Sequence, residues 1–240
     1  MGAAGRPGPA GAAARGGVWR ADGPMPPGVP TGHAALDAEL PDGGWPRGGL
    51  VELLPARRGL GELGLLMPAL ARISGREMAW VVCVAPPLPL HAPAWAAAGV
   101  ALSRLLVTRA AGGDAARSCA RALDADGVGA IVAWLPAADA AALGRLQALA
   151  EKRRTLVFLF RPAGLVGESS PAPLRIAIDA GVAGRLSLRL LKRRGGARAE
   201  PLALAVDRPA DAPSFAAAAA GAPSAAAAAR SLSEAAAFSA

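Results

Sequence analysis

The 240-residue sequence has no tyrosine, four phenylalanines and two cysteines, and among its 26 basic residues only Lys152 and Lys192 are lysines. Each scarcity excludes something. Cys83 and Cys119 stand in apolar contexts and are too few for a disulfide framework, and no metal site is expected. No apolar run reaches the ~20 residues of a membrane span, and no basic start followed by an apolar core opens the chain as a secretory leader. A reduced, cytoplasmic protein without a membrane partner is the expectation. With aromatics at 4%, platforms for stacking single-stranded bases are scarce. Alanine, glycine, proline and arginine are abundant instead, a skew that GC-rich coding produces unaided.

This skew is strongest at the ends. Residues 1–28 are Gly, Pro and Ala with scattered Arg, too poor in large apolar groups to offset chain entropy, and are expected to be disordered. Residues 208–240 form an Ala-rich tail of low complexity, with at most a transient helix. The body at 29–207 is long enough to bury one core.

Within the body, Thr31 reads as the N-cap of a short helix carrying Leu36 and Leu40 on one face. LVELL at 50–54 reads as a buried strand. The runs AWVVCVA (79–85), GAIVAWL (129–135) and TLVFLF (155–160) are apolar on both faces, as in the middle of a covered parallel sheet. Helix-period segments separate them: one capped by Asp114, with Arg117 and Arg121 on a shared face, and one capped by Asp139, with Leu143, Leu146 and Leu149. Alternating strands and helices predict an α/β fold. After Arg161 the pattern changes. LRIAID and GRLSLRLLKRR alternate, which predicts a half-exposed hairpin with Leu174, Ile176, Ile178, Leu186, Leu188 and Leu190 inward and Arg175, Arg185 and Arg189 outward.

Charge is concentrated there too. Residues 152–198 hold eleven basic residues against two acids, a surplus of nine in a chain of net charge +8. Such a stretch is the footprint of a phosphate backbone or an acidic partner, or else a solvated face and a charged, blunted sheet edge. Arg161, Arg175, Arg185, Arg189, Lys192, Arg193 and Arg194 are the contact candidates. Arg161 and Arg175 bracket a Gly-, Ser- and Pro-rich segment that reads as a mobile surface loop.

The segment after LVELL has the layout of a phosphate-binding loop without its chemistry. A working loop needs G-x-x-x-x-G-K-[ST], so that backbone N–H groups, a Lys and a hydroxyl hold the phosphates and Mg²⁺. Here Arg57, Arg58, Gly59, Gly61 and Glu62 stand in the loop. Neither Lys nor Ser/Thr follows the glycines. A carboxylate near the place of phosphate charge repels it by several kcal/mol at ~4 Å and intermediate dielectric. Pro68 then either kinks the following helix or marks its first turn.

The order of parts is recognisable at this point. VPTGHAALDAELPDGGWPRGGLVELL resembles the opening of a RecA-type ATPase core, and the WPRGGLVELL and GLGELGLLMPALAR pieces resemble the ImuA family associated with translesion synthesis, distantly grouped with SulA-like division inhibitors. The resemblance implies a RecA-like P-loop NTPase-type core with a mainly parallel sheet. It also implies a bacterial SOS-response factor acting with an inactive Y-family polymerase homologue and an error-prone replicative-type polymerase, with RecA and DNA as further partners. Pro87, and Trp134 to Pro136, stand where an active relative carries a catalytic Glu and a magnesium-binding Asp. No catalysis and no ATP or Mg²⁺ cofactor are therefore expected. Two alternatives stay open: an ATPase using Arg57 or Arg58 in place of the lysine, and a division inhibitor.

Overall fold

Strands that are apolar on both sides need cover on both sides, and the chain provides it with one eight-stranded sheet between two sets of helices. The computed structural model describes residues 27–110, 114–198 and 200–206. The disorder expected at 1–28 and 208–240 lies outside the described residues, except at residues 27 and 28, where Gly28 instead donates its amide to the Asp42 carbonyl at 2.9 Å. The strands are β1 (Leu50–Pro55), β2 (Trp80–Val84), β3 (Leu105–Thr108), β4 (Val128–Trp134), β5 (Leu156–Phe160), β6 (Leu174–Ala180), β7 (Leu186–Lys192) and β8 (Leu202–Leu204). Their order is β3-β2-β4-β5-β1-β6-β7-β8. From β3 to β6 every pairing is parallel; β7 and β8 add antiparallel strands at one end. The molecule is thus α/β with a mainly parallel sheet that ends in a hairpin.

Helices α4 (Asp114–Asp124) and α5 (Ala140–Arg153) cover one face, where Cys119, Leu123, Leu143 and Leu146 meet Val82, Ile131 and Val157. The other face lies under α1 (Ala34–Asp37), α2 (Met67–Ala71) with its π-helical continuation Arg72–Arg76, and α3 (Ala92–Ala97). There Leu36, Leu66 and Leu70 join Val51, Val132 and Phe158, and Trp45 meets Phe158 edge-on at 5.1 Å. Each such leucine stabilises the fold by roughly 1.5–3 kcal/mol. Asp139 caps α5 as expected, accepting from the Ala142 amide at 2.7 Å, and the helix ends at Arg154 in the left-handed region. Gln147 on the same helix receives the Leu50 amide at 2.9 Å, which ties α5 to the start of β1.

Several local expectations are corrected. The N-cap of α1 is His33, not Thr31. Buried Thr31 instead holds the preceding turn, accepting from the His33 amide and donating its own amide to Asp37. Asp114 is the first residue assigned to α4 and pairs with Arg117, one turn on. Of the two readings of Pro68, the first turn of α2 is the one observed. The hairpin closes around residues 179–185, with Gly181 donating to Arg185 at 2.8 Å, but only β7 is half-exposed. Residues 174–178 of β6 are buried on both faces, because β6 lies between β1 and β7 and the segment 162–173 folds across it. Strands β3 and β8 are additions that the sequence pattern did not mark.

Gly44 illustrates a close approach that only glycine allows. A Cβ there would stand 2.3 Å from the Val29 carbonyl, in the bridge that clasps Val29 to Trp45.

Candidate binding cleft at the carboxyl edge of the sheet

In open α/β sheets the crevice beyond the carboxyl ends of the strands is where ligands sit, because neighbouring connections leave in opposite directions there. This chain has a cleft of about 780 Å³ at that edge, lined from the ends of β1, β2, β4 and β5 and from the first two turns of α4 and α5. Its aromatic wall is Trp134, stacked on Phe160 with centroids 5.2 Å apart. Pro87 and the Leu135–Pro136 pair line it as well. Asp139 reaches the cleft, but its carboxylate is engaged in the helix cap. Among the described residues no group of three or more His, Cys, Asp or Glu could hold a metal ion.

The loop after β1 forms one lip. Gly59 and Gly61 take φ of 77° and 95°, conformations that glycine adopts without steric cost. Turns then occupy residues 62–66, and α2 begins only at Met67, five residues later than a phosphate loop would start its helix. Glu62 turns back so that its carboxylate accepts from the Gly59 amide at 3.2 Å. The loop therefore supplies its own anion to a backbone donor. Arg57 and Arg58 stand exposed beside it, and Arg145 of α5 is exposed across the cleft; none has an ion pair among the described residues. Arg117 also lines the cleft and is paired with Asp114, whose carboxyl it holds below the usual range by its hydrogen bond and charge. Arg109 and Arg121 share an adjoining depression with Arg117.

Beneath the cleft lies a buried charge cluster. Glu52, fully buried in β1, accepts from Arg161 Nη1 at 3.0 Å and from Arg175 Nε at 2.5 Å. Arg161 also donates to the Ala138 carbonyl at 2.6 Å, and Arg175 to the carbonyls of Leu165 and Glu168 at 2.8 and 2.6 Å. Arg161 and Arg175, at 8% and 5% exposure, are thus removed from the set of surface contact candidates. Arg175 holds the 162–173 segment from beneath and Arg161 the turn before α5, rather than the two bracketing an open surface.

The remaining candidates divide. Arg185 and Arg189 are exposed on the same side of β7, as the alternation requires, with Arg189 3.7 Å from Asp179. Lys192 donates to the Ser170 carbonyl at 2.7 Å; partial burial first, then nearby Arg175, lower its pKa, against the pull of Glu52. Arg193, beyond the end of β7, is not on that outward side. It turns onto Glu39, at 3.2 Å, which also receives Arg198 at 3.1 Å, while Arg194 lies 3.8 Å from Asp42. The basic tract is partly consumed in closing the fold.

Sequence reasoning missed Glu52, Arg117 and Arg145. Glu52 carried a signal: a lone carboxylate inside LVELL has to find a cation. Nothing in the spacing of Arg117 and Arg145 shows that they converge with Arg57 and Arg58.

Neither a scan of protein-family models nor a search of curated proteins finds a match to this chain.

Proposed function

We propose that this chain is a non-catalytic accessory factor of SOS-induced translesion synthesis, working through protein contacts, with DNA as a further ligand, on a RecA-like scaffold of the ImuA kind. The observation that carries the proposal is the Glu62 carboxylate on the Gly59 amide, in a loop that has neither the lysine nor the hydroxyl of a nucleotide cradle. An entering triphosphate meets a negative charge at the donor it needs. The loop also stands away from a helix N-terminus, because α2 starts late. The mainly parallel α/β sheet agrees with the resemblance, which implies an inactive Y-family polymerase homologue, an error-prone polymerase and RecA as partners.

Deleting the gene should abolish damage-induced mutation, and restoring it should return mutation frequency to normal. Unchanged mutation frequency after deletion, in cells that still induce the polymerase partners, would overturn the proposal.

A second reading is favoured by one observation: Arg57 and Arg58 are exposed at the cleft mouth, in reach of a bound phosphate. An ATPase built on them would gain about 2.7 kcal/mol of stability at a hundredfold excess of nucleotide over Kd, and Arg58→Ala would erase the gain. No shift in Tm at millimolar magnesium-ATP and no phosphate release are the results expected here.

A further inference from the structure

We infer that the cleft at the carboxyl edge is the docking site for an acidic segment of a partner polypeptide, seated by an apolar side chain and held by carboxylates on either side of it. The inference rests on the reading of the chain as a binder rather than an NTPase, and is independent of its place in damage tolerance.

The lining is unusual in composition. Among the described residues, apart from arginines and two engaged carboxylates, every residue at the cleft is Ala, Pro, Leu, Trp or Phe; no Ser, Thr, Asn, Gln or His side chain is among them. Arginine also reads base edges, but apart from the indole N–H of Trp134 the described lining residues offer no neutral side-chain donor or acceptor for a base or a sugar. An apolar side chain against the Trp134–Phe160 wall needs no such partner. The small alanines around that wall leave it room.

Charge selects the flanks of the ligand. Glu62 is directed to the Gly59 amide and Asp139 to the Ala142 amide, while Arg57, Arg58 and Arg145 face the mouth without an ion pair among the described residues. The floor adds to this bias, since Glu52 neutralises only one of the two guanidiniums it touches. The Nε of Arg161, a cleft residue 8% exposed, has no hydrogen-bond partner in the structure. Arginines matched to planar carboxylates make paired, charge-assisted bonds. Arg57 and Arg58 come from the β1 loop and Arg145 from α5, so the cations reach the cleft from two elements. A peptide with several Asp or Glu residues around one Leu or Phe matches that arrangement.

The test uses the full chain and a short fluorescein-labelled peptide in which Phe and Leu are flanked by Asp and Glu, read by anisotropy. The competing probes are the same peptide with Lys for every acid, oligo-dT and inorganic tripolyphosphate. Saturable binding is expected at a Kd of about 100 µM or tighter in ~50 mM salt, weakening as salt rises. Replacing Arg57, Arg58 and Arg145 together by Gln should weaken it by about tenfold or more, whereas Arg185→Glu with Arg189→Glu should leave it within about twofold. Because the three arginines are exposed, an unchanged Tm should accompany the loss; the single variant Arg145→Gln, weakening binding by about threefold, gives the same reading if the triple variant misfolds. The inference is overturned by no saturation up to ~1 mM peptide, by binding indifferent to these arginines, or by oligo-dT or tripolyphosphate competing as well as the unlabelled peptide. Failure of the peptide leaves the non-catalytic reading standing. Magnesium-dependent ATP turnover by the purified chain removes that reading whatever the peptide does.

Discussion

Glu52 and Arg175 face each other directly across the parallel β1–β6 pairing, and their side chains meet at 2.5 Å with both almost fully buried. Since Arg161 shares the same carboxylate, Glu52→Gln leaves two guanidiniums in the interior with no counter-charge. A loss of about 3–5 kcal/mol is expected, measured by urea unfolding with an unchanged m-value. Replacing all three residues by apolar ones of similar volume should recover most of that loss, because the cluster's own desolvation cost disappears with it.

The exposed and the engaged arginines of the basic tract should respond differently to charge reversal. Arg185→Glu should change stability by less than ~0.5 kcal/mol, the ordinary effect of a surface substitution. Arg193→Glu brings a carboxylate against Glu39 and removes a link between the ends of the described chain, so a loss of about 1–2 kcal/mol is expected. Thermal melts of the two single variants and their double variant separate these effects.

Cys83 and Cys119 are buried, and burial pushes both thiols up from 9.0 to about 12. The unfolded chain therefore binds fewer protons than the folded one between these values, and stability should fall as pH rises through that window. With two thiols the slope is about 2.7 kcal/mol per pH unit. Below pH 9 the contribution is fully present. Urea midpoints taken from pH 8 to 11 measure it, and the absence of tyrosine keeps thiolate absorbance readable through the same range. Cys83→Ala should halve the slope.

Asp139 is the acid nearest the place where a magnesium ligand is sought. If its role is the cap of α5, Asp139→Ala costs about 1 kcal/mol, and Asp139→Ser, which also caps, restores most of it. Neither substitution should change the protein's response to magnesium in a thermal melt.

Much of the core was legible in the sequence. Runs apolar on both faces can only be covered strands, and β2, β4 and β5 fall within a residue or so of where those runs stand. The Asp139 cap was equally visible, since its hydrogen bond reaches only three residues along the chain. What was hidden is non-local. Alternation in LRIAID sorts Arg175 from Leu174 and Ile176, but it cannot tell whether a later fold of the chain covers the arginine's side. The carbonyls of Leu165 and Glu168 do so. β3, four residues long at the open edge with Leu106 and Val107 exposed, has neither the length nor the burial pattern of its neighbours. The cleft was illegible for the same reason: its arginines come from the β1 loop and two helices, and sheet order alone brings them together.

Glu39, receiving Arg193 and Arg198, makes one short side chain a clasp between the first and last stretches of the described fold. Glu39→Gln would therefore weaken two contacts with one substitution. The α1 region, which packs beside β8, would be tethered less tightly to that end of the sheet.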